Sequence, residues 1–176
     1  MGLMPHRPAG RRLLSIVAAT TFVLMMAWAS LLATADPLTA ERRKMVTDAV
    51  DLLDRQGFTH QAWMLRHVVV YRGTDNWWNL YTGHQQAYAA TNFPFEVVTL
   101  YRPFFTVATD DVERAAILLH ESHHLLGSGE TTALRETWVE KQRLGWTSVD
   151  YGRTRLWKNT REWTAAAVPD FIASSE

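Results

Sequence analysis

The chain has 176 residues, 47% of them hydrophobic and 20% charged, which suits one compact domain and is short for two. Its 18 basic and 18 acidic residues cancel, which argues against a general nucleic-acid binder, because such proteins carry a surplus of base to neutralise phosphates. Cysteine is absent, so disulfides, thiolate metal sites, iron–sulfur clusters and cysteine nucleophiles are excluded.

At the N-terminus, Arg7, Arg11 and Arg12 precede an uncharged run from Leu13 to Ala35. Basic residues followed by an apolar run form the order of an export signal, and Ala33-Thr34-Ala35 supplies the small-x-small pattern that signal peptidase accepts. The run exceeds the ~7–15 residues of an ordinary signal core and reaches the ~20 that span a bilayer. Residues 1–35 are therefore expected to be a cleaved signal peptide or an N-terminal membrane anchor, with residues 13–35 as the membrane contact. Residues 36–176 form the domain, which the positive-inside rule places outside the cytoplasm. Without its first 35 residues the chain loses three arginines and no acid, leaving a net charge of −3.

The segment Asp36–Gly57 reads as a helix capped by Thr39 and stopped by Gly57, with Met45, Ala49, Val50, Leu52 and Leu53 at helical spacing. Gln61–Arg66 suggests a short helix and His67–Tyr71 a β-branched strand. Thr74–Asn92 has no sustained period and is expected to be irregular, with one short strand near Leu80. Phe95–Thr106 reads as a strand that Pro103 demotes to an edge or bulge. Thr109, Asp110 and Asp111 offer caps for an apolar helix over Val112–Leu126. Gly127-Ser128-Gly129 breaks it, and Glu130–Leu144 resumes as a second helix closed by Gly145. A last helix is expected over Arg153–Ala167, with Trp157 and Trp163 as core anchors; Glu140 and Lys141 read as surface charges.

The informative stretch runs from Ile117 to Glu130. His120 and His124 are four residues apart, about 40° around a helix at ~3.6 residues per turn, so their imidazoles point the same way and can reach one metal ion. Glu121 lies on the adjoining flank, close enough to touch a metal-activated water without ligating the ion. Leu118, Leu119, Leu125 and Leu126 cover the opposite side, so the helix is expected to be buried all round. Catalytic zinc usually takes three protein ligands plus water. Glu130 and Glu136 are the nearest candidates for the third. Reach favours Glu130, which sits just past the glycine break, whereas Glu136 lies ~9 Å further along the second helix. Ala133, one turn on, is small enough to let the two helices pack closely. His123 points to the other side, towards substrate or a backbone group.

His120-Glu121-Ser122-His123-His124 resembles the active-site helix of the zincin metallopeptidases, in which two histidines bind zinc and the intervening glutamate is the general base. Continued through Leu125-Leu126-Gly127, the segment follows the start of the longer metzincin pattern, with Glu130 where that pattern has its third histidine. Glu130-Thr131-Thr132-Ala133 is similar to the E-x-x-A on the second helix of glutamate-ligand zincins. The resemblance implies an α+β fold: one zincin-like domain with a small sheet whose edge lies over the active-site helix, and a second helix returning beside it. It implies Zn2+ held by His120, His124 and Glu130, with Glu121 catalytic, and a metallopeptidase acting on a peptide or protein substrate. Tyr101 and Tyr151 are both available to donate a hydrogen bond to a tetrahedral intermediate. The competing expectation is an exported or anchored non-enzymatic module with a structural metal, for which His123 or Glu136 as a fourth ligand would be the mark.

Overall fold

The computed structural model describes residues 9–83 and 88–172. Arg7 of the basic segment and residues 84–87 of the stretch expected to be irregular lie outside the described residues. The structure is mostly helical with one small sheet, the α+β arrangement expected, weighted towards helix. Among the described residues one helix, α1 (Ala9–Ala33), is long and apolar enough to cross a membrane. Its side chains stand almost entirely clear of the rest of the chain until Leu31, which is buried.

Helix α2 (Ala40–Arg55) starts where the sequence places its cap: the Thr39 hydroxyl accepts from the Arg42 N–H. Val46, Ala49, Val50 and Leu53 form its buried face. Helix α3 (Thr59–His67) is longer than expected and absorbs the start of the anticipated strand, leaving β1 as Val70–Arg72.

Leu80 does not lie in a strand. It belongs to helix α4 (Trp77–Thr82), which Asn76 caps by accepting from the N–H groups of Trp78 and Asn79, both at 3.0 Å. The asparagines that make this region look irregular are buried and bonded to one another. Asn76 donates to Asn92, Asn92 to Asn79, and Asn79 to Thr99, at 2.7–2.9 Å. That chain of bonds fastens α4 to the sheet, as a buried polar network must if it is not to strand its members.

Strand β2 (Ala89–Asn92) was not anticipated. Strand β3 (Val97–Leu100) is the centre of the order β1-β3-β2, parallel to β1 and antiparallel to β2. Ala89 faces Leu100 and Asn92 faces Val97 in the register, which leaves β2 as an edge. Pro103 does not interrupt this strand. Beyond Tyr101 the chain turns into α5 (Arg102–Thr106) with proline in its first turn, where no N–H is needed.

Helix α6 (Asp111–Leu125) runs through the middle, against α2, α3, β2 and the following helix. Its buried residues include Leu118, Leu119 and Leu125 as expected, but Leu126 lies past the end of the helix and is 52% exposed. Asp110 caps it by accepting from the Glu113 N–H. Glu113, fully buried, accepts from the Thr109 N–H and hydroxyl and from Thr154, which caps the last long helix. Helix α7 (Glu130–Leu144) ends at Gly145, and α8 (Ser148–Tyr151) leads to α9 (Arg155–Ala167) and α10 (Pro169–Ile172). Trp138, Trp146 and Trp157 pack ring against ring with centroids 4.9–6.2 Å apart, anchoring α7 to α9. Trp157 is thus a core anchor, but Trp163 is 40% exposed and faces a cleft. Lys141 is not a surface charge: its stem is buried and its ammonium lies 4.6 Å from the Trp138 ring centroid.

Candidate metal centre

The centre is built where α6 ends and α7 begins. Gly127 takes a left-handed conformation (φ 83°) that an L side chain resists, and its N–H donates to the His124 carbonyl. Ser128 N–H donates to the His123 carbonyl, and α7 starts at Glu130. The reversal takes only a few residues, so the last turn of α6 and the first of α7 share one corner. His120 and His124 project into it from α6, and Glu130 from α7.

The two Nε2 atoms are 3.1 Å apart. Glu130 brings its carboxylate to 3.1 Å from His124 Nε2 and 3.6 Å from His120 Nε2. One ligand atom from each of the three lies within 4.8 Å of the others, a group able to hold a metal ion. His124 Nδ1 lies 2.9 Å from the Ser128 carbonyl. With its proton on Nδ1 the ring donates to that carbonyl and turns the Nε2 lone pair towards the corner, the support that metal-binding imidazoles usually have. The donor set fits a borderline ion such as zinc, and nitrogen–oxygen sets of this kind also accept other divalent metals.

Electrostatics express the same convergence. Without metal, the hydrogen bond to Glu130 pushes the His124 pKa up to about 9 against the opposing effect of burial, with the Ser128 carbonyl adding to the rise. His120 and then His124 hold the Glu130 carboxyl well below the usual carboxylate range. The histidines stand at the negative end of α6 and Glu130 at the positive end of α7, which suits each charge.

Glu121 is 4% exposed and its Oε2 accepts from the Thr91 hydroxyl at 2.7 Å. Thr91 sits on β2, so the sheet edge supplies the support for the carboxylate. A cleft of about 880 Å³ opens here, and its lining includes Thr91, His120, Glu121, His124 and Glu130. Leu134, Thr137, Trp146, Leu156 and Trp163 carry it on between α7 and α9.

The remaining candidates fall elsewhere. Glu136 pairs with Arg135 at 2.6 Å, and the reach argument for Glu130 agrees with the cluster found. His123 is outside the trio; its Nε2 is buried without a hydrogen-bond partner, and burial followed by the nearby His120 lowers its pKa. Tyr101 donates to Asp75 and Tyr151 to Asp110, and neither lines the cleft. Tyr88 does line it, with its hydroxyl accepting from Asn159 at 2.9 Å. Sequence reasoning missed Tyr88, Thr91 and the cleft-facing role of Trp163, because all three depend on where β2 and α9 dock. No family model, curated protein or solved structure matches this chain.

Proposed function

We propose that the chain is a zinc-dependent hydrolase of the zincin type, most simply a metallopeptidase cleaving peptide or protein substrates outside the cytoplasm. The observation that carries this reading is the convergence of His120, His124 and Glu130 on one point, with a buried carboxylate beside them at the wall of a cleft. His120, His124 and Glu130 would hold the ion, which when bound polarises the scissile carbonyl and acidifies a water. Glu121 takes the proton of the attacking water and delivers it to the leaving amine. Thr91 occupies Glu121 Oε2, which leaves Oε1 for that transfer. Ser128 keeps the His124 ring oriented. The β2 edge beside α6 suits an extended peptide, which can pair with it as a further strand.

A structural metal site in a non-enzymatic module would need a fourth protein ligand to close it. Among the described residues the trio has no fourth member: His123 lies outside it and Glu136 is paired with Arg135. Export rests on α1, the apolar N-terminal helix.

Elemental analysis of protein purified without added metal tests the proposal. One zinc per chain is expected, lost in Glu130→Gln and kept in Glu136→Gln. No bound metal, or equal loss in both variants, would overturn the assignment.

A further inference from the structure

Helix α1 does not end clear of the domain. Leu31 and Ala35 are 3% and 8% exposed, and the residues after them are stitched to the connection between β1 and α4. Asp36 N–H donates to Thr74 Oγ1 at 2.7 Å, Gly73 N–H donates to the Asp36 carbonyl at 2.8 Å, and Pro37 bridges to Arg72. Trp77, the first residue of α4, completes the join. Its indole N–H donates to Ser30 Oγ at 3.0 Å and its backbone N–H to Thr34 Oγ1 at 3.3 Å.

Large apolar side chains are left uncovered beside this join. Trp77, Trp78, Leu80 and Tyr81 are 43%, 47%, 70% and 83% exposed. Trp78 meets Trp77 and Tyr81 at ring-centroid distances of 5.5 and 6.4 Å, so the aromatics form one patch. In water such a patch is a liability. Its height along α1 explains it. The uncharged run starts at Leu13, and a hydrocarbon core ~30 Å thick is crossed by about 20 residues, which puts the far boundary near about residue 32. That boundary falls within the Ser30–Thr34 turn to which Trp77 is bonded. Tryptophan and tyrosine concentrate at this headgroup level, where an apolar ring and a polar edge are both satisfied.

We propose that α1 is retained as a membrane anchor and that α4 lies in the outer headgroup layer of the same bilayer, with Trp77, Trp78, Leu80 and Tyr81 as its lipid-facing side. The occupant of the patch is lipid, because the patch is continuous with a helix of bilayer-spanning length. The domain is then seated on the membrane surface and does not swing from a tether. This placement stands independently of the metal chemistry.

The absence of cysteine makes a single introduced thiol unique for labelling. Full-length Tyr81→Cys, Leu80→Cys and Val149→Cys chains are spin-labelled and reconstituted into phosphatidylcholine–phosphatidylglycerol vesicles. Val149 is the reference, 92% exposed on α8 and outside the aromatic patch. Collision with oxygen relative to a water-soluble nickel complex should be several-fold higher at 80 and 81 than at 149. Free access of the nickel complex to 80 and 81 would overturn the proposal. So would spin–spin broadening at 81 without an oxygen excess, which would mean that a second copy covers the patch. A chain recovered from its host with a mass beginning at Asp36 would overturn the retained anchor.

Discussion

Thr91→Val removes one hydrogen bond and little else. Valine keeps the β-branched shape that suits β2, and the register opposite Val98 does not involve the side-chain oxygen. What is lost is the donor to Glu121 Oε2, at 2.7 Å, on a carboxylate that is 4% exposed. A hydrogen bond to a charged group contributes ~1.5–3 kcal/mol, and ~1.4 kcal/mol corresponds to a factor of about ten in rate. Thr91 is itself only partly buried, so water replaces some of the lost donor and the lower end applies. Without that donor the Glu121 carboxylate is no longer held in one orientation, and kcat/KM on a quenched fluorescent peptide should fall by about tenfold. Zinc content should be unchanged, and Thr91→Ser, which restores the hydroxyl, should recover most of the loss. An unchanged kcat/KM in Thr91→Val would refute the assignment of Glu121 as the base supported by Thr91. Loss of zinc together with the activity would make Thr91 a residue of the fold alone.

Zinc affinity should rise with pH. In the metal-free chain His124 has its pKa raised to about 9, so binding at neutral pH displaces a proton and tightens about tenfold per pH unit, levelling off above that value. Calorimetry in buffers of different ionisation enthalpy should find proton release, and an affinity that is flat between about pH 6 and 8 would contradict it. Metal-free stability should follow the same pair. The His124 contribution is complete below its ordinary value of 6.5 and fades as pH rises through about 9, while that of Glu130 is complete above 4.5 and fades as pH falls. Glu113→Ala should destabilise the fold by about 3 kcal/mol, since buried donors left without an acceptor cost ~1–3 kcal/mol each. Urea unfolding measures this, and a loss below about 1 kcal/mol would mean that the Thr109 and Thr154 donors find other partners.

The corner of α6 and α7 was legible because its determinants are local. A four-residue histidine spacing, a capping aspartate, a glycine with positive φ and a glutamate just beyond it all act within a few turns of chain. That Glu130 lies nearer the two histidines than Glu136 does needed only the rise of a helix. β2 and α4 were not legible. Four residues without a period become a strand only by pairing with β3, and Trp77–Thr82 becomes a helix through an asparagine cap whose other bonds reach Asn92 and, through Asn79, Thr99. Thr91 inherits its role from that docking. Trp163 shows the same limit, since helical spacing marks the apolar face of α9 but does not say that part of it borders a cleft. Pro103 could equally break a strand or open a helix, and the backbone after Tyr101 takes the second course.

In the proposed site one side chain activates water while its neighbours hold the metal, and Glu121→Gln separates the two. Glutamine keeps the size of the side chain and can still bond Thr91, but it cannot take a proton. Zinc per chain, measured by elemental analysis alongside peptide hydrolysis on the same sample, should remain at the parental level while hydrolysis falls by ~10²–10⁴-fold, the usual cost of losing a general base. Full hydrolytic activity in a zinc-loaded Glu121→Gln chain would exclude Glu121 as the base.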